Sequence, residues 1–223
     1  MAPASLSFVA VATAKEWHIK LSGAGDYNEA FLKKFSKLKW LVHFQPPLNT
    51  IFMNDWHTGI AVLGRLQDQL CHGDGKDMLI SRDSGGVELC TTASMFKKKV
   101  HIPHVLAKHA DACASILKQW TVLLRTILDN KGRAIAMGPS AEKAVGGSLC
   151  LITFEMRHYF ISSAKRHSFS ARLKSIRVLI PKGQLVKAMK KMEGITPQQL
   201  TSPTTFEAFI CQGDYTNCLS VSI

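Results

Sequence analysis

The chain has 223 residues, the length of one large or two small domains, and 46 % of them are hydrophobic, enough for a core and too many for a disordered or low-complexity protein. Its formal net charge of +12 argues against an acidic scaffold and for an anionic partner such as phosphate or anionic lipid. The excess is local: residues 157–191 hold ten Lys/Arg and no Asp or Glu, residues 1–156 have a net charge of +5, and residues 192–223 have a net charge of −3.

The apolar run at residues 3–14 has no Lys or Arg ahead of it, so it reads as an N-terminal arm or strand and not as a secretory leader. Trp17, Ile19 and Leu21 alternate with polar residues, which predicts a half-buried strand with those three on one face. A helix is predicted from Asp26 to His43, with a capping-box-like Asp26/Glu29 pair and a stripe of Phe31, Phe35, Leu38 and Leu41/Val42. Pro46 and Pro47 end it. The second half of residues 51–70 is predicted to be helical, with Ile60, Leu63, Leu66/Gln67 and Leu70 at helical spacing, and residues 71–77 read as a loop. Residues 78–80 and 87–90 read as a hairpin, and residues 99–102 as a strand stopped by Pro103.

Ala107 to Leu128 carries a long stripe (Ala110, Cys113/Ala114, Leu117, Trp120/Thr121, Leu124, Ile127/Leu128) and is predicted as a core helix ended by Gly132. A Gly-rich loop around Gly138, Gly146 and Gly147 leads to an apolar strand or strand pair over residues 149–161. Phe169, Leu173, Ile176 and Ile180 suggest a helix ended by Pro181, and Gln184 to Glu193 a second, basic one. Short capped helices are expected near Thr196 and Ser202. The pattern predicts an α+β fold: a mainly antiparallel sheet packed against two or three helices, with a basic helical C-terminal part. The expected divisions are an N-terminal arm or strand at 1–14, a single domain at 15–195 and a tail at 196–223. No stretch reaches 18 uninterrupted apolar residues, so no membrane span is predicted.

The six cysteines form no CxxC pair and lie mostly among apolar residues, which fits reduced, buried thiols better than a disulfide framework. His101, His104 and His109 lack a Cys or carboxylate partner at a metal-site spacing, so they read as structural and no metal or cofactor is expected. Residues 73–76 lack the spacer and the Ser/Thr of a phosphate-binding loop. No nucleophile elbow or ordered triad is present, so no catalytic residues and no enzyme activity are predicted. The candidate anion-binding residues are Lys165, Arg166, Arg172, Lys174, Arg177, Lys182, Lys187, Lys190 and Lys191, with Lys97, Lys98 and Lys99 as a second patch. Tyr159 and Phe160 beside Arg157 offer a different reading, aromatic faces on which single-stranded bases stack.

The order of elements, the turn Ile102-Pro103-His104 and the segment Ser168-Phe169-Ser170 resemble the globular core of rhabdovirus matrix proteins over about residues 15–180. The Lys-rich N-terminal arm and the PPxY motif of animal-virus members are missing, since Asn49 stands where the Tyr would be, so the plant-infecting type is the nearer match. The resemblance implies a matrix protein that condenses the nucleocapsid (nucleoprotein and RNA), self-associates and bridges to the anionic inner membrane surface as a peripheral protein. It also implies contacts with envelope glycoprotein and nuclear import factors, and residence in the virion, host cytoplasm, nucleus and inner membrane surface. The alternatives are a single-stranded nucleic-acid-binding module and, behind it, a small-molecule enzyme.

Overall fold

The computed structural model describes residues 6–22, 25–26, 37–47, 50–71, 75–76, 78–82, 86–98 and 120–193. The chain divides into two compact units, Met1–Leu185 and Val186–Ile223. The first unit is α+β with a mainly antiparallel sheet. Its strands are β1 (Leu6–Lys20), β2 (Lys39–Gln45), β3 (Gly75–Lys76), β4 (Leu79–Arg82), β5 (Gly86–Ser94), β6 (Phe96–Lys98), β7 (Trp120–Val122), β8 (Thr126–Leu128), β9 (Leu149–Ile161) and β10 (Arg166–Ile180). The helices are α1 (Met53–Cys71), α2 (Pro139–Val145) and α3 (Lys182–Glu193), the last running on into the second unit.

Five strands close on themselves. β1 pairs antiparallel with β2, β2 with β5, β9 with β10 and β9 with β1, while β5 and β10 run parallel and complete the ring. The result is a barrel in the order β1-β2-β5-β10-β9, which leaves the central strands no open edge. Alternation decides what fills it. Trp40, Val42 and Phe44 of β2 point inward with Leu89, Thr91 and Ala93 of β5, Ile152 and Phe154 of β9, and Ala171 and Leu173 of β10. β6 and β7 form a separate two-stranded ribbon, and β8 pairs with the later part of β10.

The hairpin β4–β5 and the strand β9 stand where the sequence predicts them, and the helix expected in the second half of residues 51–70 begins earlier, as α1 from Met53. α1 buries Trp56, Leu63 and Gln67 along one stripe, and the Gln67 carboxamide oxygen accepts the Met78 backbone N–H at 3.3 Å. The N-terminal run is strand from Leu6 onward.

Several expectations are corrected. The helix predicted to His43 gives way to β2 from Lys39 on, because Trp40, Val42 and Phe44 alternate at period two; residues 27–36 lie outside the described residues. The helix predicted to Leu128 is replaced at its end by β7 and β8, with 107–119 outside the described residues. The helix predicted from Phe169 to Ile180 is the strand β10. Irregularities between Leu173 and Ser175 and between Val178 and Ile180 insert extra residues, so inward positions fall at 169, 171, 173, 176 and 178. Two β-bulges thus imitate helical spacing.

The Gly-rich loop contains α2, with Pro139 in its first turn. Its Glu142 carboxylate accepts the Leu21 and Ser22 N–H groups at 2.7 and 2.8 Å and so fastens the end of β1. Gly147, at φ +70°, makes the turn into β9 and donates its N–H to the Ala14 carbonyl at 2.9 Å. Trp17, predicted to share a buried face with Ile19 and Leu21, is 85 % exposed, because β1 slips against β2 between Ala14 and Ile19. The strand at 99–102, the histidines at 101, 104 and 109 and the tail helices lie outside the described residues.

Candidate functional site

The barrel's outer surface brings distant cations together. Cross-strand pairing runs Arg172–Thr92–Leu41–Lys20 over β10, β5, β2 and β1. Directly paired side chains share a face. The neighbouring rung contains Ala171, Thr91 and Val42, all fully buried, so the Arg172–Lys20 rung faces outward. Lys39 lies on the same outward side of β2, two residues before Leu41 and paired with Ser94.

At the β10 end of this rung the charge is concentrated around one carboxylate. Glu155 of β9 pairs in register with Arg172 and forms an ion pair with Lys174; Arg172 Nη1 stands 3.8 Å and Arg157 Nη2 3.9 Å from Glu155 Oε2. The hydrogen bond from Lys174, followed by the charges of Lys174, Arg172 and Arg157, holds the Glu155 carboxyl below the usual carboxylate range. Arg125 joins the group. Burial and then the Arg172 charge lower its pKa, with Arg157 acting in the same direction, yet a guanidinium stays protonated. Its Nε and Nη2 are buried and meet no hydrogen-bond partner among the described residues. Among the described residues, four cations therefore surround one anion, and two guanidinium nitrogens lack an acceptor. That arrangement suits an incoming phosphate.

Glu155 is only 9 % exposed, and its folded pKa is depressed, so its stabilising contribution is present above the unfolded carboxyl value of about 4.3 and fades as pH falls through the lower folded value. Glu155→Gln should lower the urea midpoint at pH 7, with the gap to the parent shrinking as the pH is taken well below 4.3 in the same titration.

Beyond the cations the β9–β10 hairpin extends to a tip turned by Ser162–Ala164, with Lys165 in the left-handed region at φ 47°. Tyr159 is 49 % exposed and sits on the Arg157 side, with Arg157 Nη1 at 3.5 Å from its hydroxyl. Phe160, 56 % exposed, takes the opposite face, where its ring lies 5.0 Å from that of His167. His158 stacks there on His167 and Phe169, and the two imidazoles approach at 2.6 Å between Nε2 and Nδ1.

The predicted basic residues separate accordingly. Arg172 and Lys174 belong to the cluster, Lys165 and Arg166 are exposed at the hairpin tip, and Arg177 lies further along β10. Lys182 is engaged elsewhere, with Nζ at 2.7 and 2.6 Å from the two Glu16 oxygens. Lys187 and Lys190 are exposed on the part of α3 in the second unit, and the Lys191 side chain lies outside the described residues. Lys97 and Lys98 are placed in β6 by their backbone only, and Lys99 lies outside the described residues. The residues that the basic run does not reveal are Arg125 and Glu155 in the cluster and Lys20 and Lys39 on the adjoining strands; Glu155 reaches Arg172 through the β9–β10 pair, Arg125 through the pairing of β8 with β10, and Lys20 and Lys39 through β1, β2 and β5, and no local motif marks them.

A five-stranded Greek-key barrel with this strand order is the OB-fold, whose second and third strands and whose β4–β5 loop correspond here to β2, β5 and the β9–β10 hairpin. Among solved structures, the chain is similar to gp2.5, a single-stranded DNA-binding protein encoded by bacteriophage T7, with a TM-score of 0.53 and 12 % identity over 80 % of this chain and 88 % of that one. A single-stranded DNA-binding protein from bacteriophage Enc34 also aligns, with a TM-score of 0.43 and 9 % identity over 79 % of each chain. No family model and no curated protein matches the sequence.

Proposed function

We propose that this protein binds single-stranded nucleic acid, with DNA the first ligand to test, across the outward face of β10, β5, β2 and β1 and along the β9–β10 hairpin. The observation that carries the reading is the cluster of Arg125, Arg157, Arg172 and Lys174 with Tyr159 on the same face. The cations track a phosphodiester backbone, and the aromatic face accepts any base, so binding is expected to be sequence-tolerant. The location supports it, since OB barrels take oligonucleotides on the second and third strands and the loop after the fourth. The T7 protein of similar fold, itself described as single-stranded DNA-binding, supports it further. The role is binding and not catalysis.

Tyr159→Ala should weaken binding of an oligo(dT) probe about tenfold, since a base–aromatic stack contributes about 1–3 kcal/mol, while Tyr159→Phe keeps the ring and most of the affinity. Phe160→Ala, on the opposite face, should change it less. Fluorescence anisotropy reads all three. The matrix reading requires a different ligand, so the same preparation is floated with anionic vesicles at about 0.1 M salt, where surface charges are still felt over about 10 Å. Vesicle binding with the oligonucleotide ignored would replace the present proposal by the matrix one.

A further inference from the structure

A second cluster lies on outward positions of β2 and β5, within the face assigned to the nucleic acid, and the anion-binding reading gives it no role. His18 of β1, His43 of β2 and Glu88 of β5 each present one ligand-type atom, all within 4.8 Å of one another. His43 Nδ1 stands 3.2 Å from Glu88 Oε2, and the His18 and His43 rings are 4.9 Å apart and tilted by 60°. His43 and Glu88 are buried, and His18 is half-buried. The Nδ1 of His18 is buried and has no hydrogen-bond partner among the described residues. A buried ring nitrogen without a partner is unfavourable unless something fills the position.

The backbone explains how these groups meet. Lys15 and His18 are three residues apart and would face opposite sides of a regular strand. Both nevertheless reach the same pair: Lys15 forms an ion pair with Glu88 Oε1, and His18 lies against His43. The slip of β1 on β2 between Ala14 and Ile19 makes this possible, because the ladder is interrupted over these residues. The irregular stretch of β1 is thus held to β2 and β5 by side chains in place of backbone pairing.

We propose that His18, His43 and Glu88 form a binding site for a divalent transition metal of the zinc type, which staples the irregular part of β1 to β2 and β5. Two imidazoles and a carboxylate are a zinc-type donor set, with a fourth position left for water. Metal–ligand distances of about 2.0–2.2 Å require tetrahedral donors about 3.3 Å apart, so the three atoms need to close by about 1.5 Å at most. Glu88 has an oxygen for each task. Oε2 faces His43 and serves as the ligand, while Oε1 stays with the Lys15 ammonium, the outer hydrogen bond that ligating carboxylates usually have. The competing arrangement is a metal-free Lys15–Glu88–His43 ion-pair network.

Cobalt(II) and zinc(II) titrations of the full-length protein separate the two. The expected result is one equivalent of Co²⁺ giving the visible absorption of a four-coordinate nitrogen/oxygen site, displaced by Zn²⁺, and a Zn²⁺-dependent rise in thermal midpoint of several degrees. Truncating the buried His43 or Glu88 endangers the fold, so His18→Ala is the primary variant, with circular dichroism to confirm folding; it should abolish the absorption. Cys90→Ala should retain it, since β-register places that thiol opposite His43, where it offers a source of adventitious binding. Absence of the band and of the thermal shift at millimolar metal overturns the proposal, as does a band that survives His18→Ala or is lost in Cys90→Ala.

Discussion

Neutralising Arg125, Arg157 and Arg172 together, each to Gln, is expected to weaken single-stranded DNA binding by on the order of a hundredfold. The estimate takes about 1 kcal/mol for each charge-assisted contact, a low value because Arg157 and Arg172 remain partly solvated, and about 1.4 kcal/mol for each factor of ten. Lys174 is deliberately kept. It is the closest partner of Glu155, and a nearly buried carboxylate stripped of that partner would endanger folding and confuse the result. The second readout is salt. Single strands release about 0.7 counterion per phosphate contact, so the triple variant should show a slope of log affinity against log salt that is shallower by about 2. A hundredfold loss with an unchanged slope would mean that the residues shape the site without touching phosphate. An unchanged affinity would move the interface off this face.

The opposite charge change should act in the opposite direction. Among the described residues, Glu155 is the carboxylate these cations surround, and Glu155→Gln should tighten binding at neutral pH even as it lowers stability. Function and stability therefore place contrary demands on one side chain, as is common where like charges are gathered for a ligand.

What could be read from the sequence divides along the same physical lines. β9 is legible because it opens with an unbroken apolar run at 149–152, carries much further apolar weight, and is bounded by Gly147 and the polar turn at 162–165. α1 is legible from one unbroken stripe. β10 is not, because period two is hidden by the irregularities after Leu173 and Val178, and the inward set Phe169, Leu173 and Ile176 then satisfies a helical template. β2 is lost for a related reason: a short alternating strand merges with the helical pattern of the residues before it. The candidate site is half legible. Arg157, Tyr159 and Phe160 are adjacent in the chain, and their juxtaposition of charge and aromatic surface is visible without any fold. Lys20 and Lys39 are joined to Arg172 only when β5 and β10 pair in parallel, and Arg125 only when the adjoining β8 pairs with β10, contacts that no local periodicity encodes.

The second large effect concerns the barrel itself. Phe154→Ala should destabilise the protein by about 3–5 kcal/mol, the range for truncating a buried aromatic. Phe154 is 1 % exposed, sits between β1 and β10 in the sheet, and stacks on Phe8 with ring centroids 5.4 Å apart at 17°. Its loss removes that aromatic pair as well as the volume filling the barrel, against a total stability of about 5–15 kcal/mol for a typical domain. At about 2–4 °C per kcal/mol for a chain of this size, the thermal midpoint should fall by roughly 6–20 °C. Tyr159, five residues on in the same strand, is half exposed, and Tyr159→Ala should alter stability by less than about 0.5 kcal/mol. The pair divides β9 into a portion that holds the barrel and a portion proposed to meet the ligand. Below its own midpoint, the Phe154→Ala protein should bind oligo(dT) as the parent does, whereas Tyr159→Ala should bind poorly while melting normally. Equal losses of stability at the two positions would show that the hairpin tip is packed into the fold, leaving Tyr159 no free face on which a base could stack.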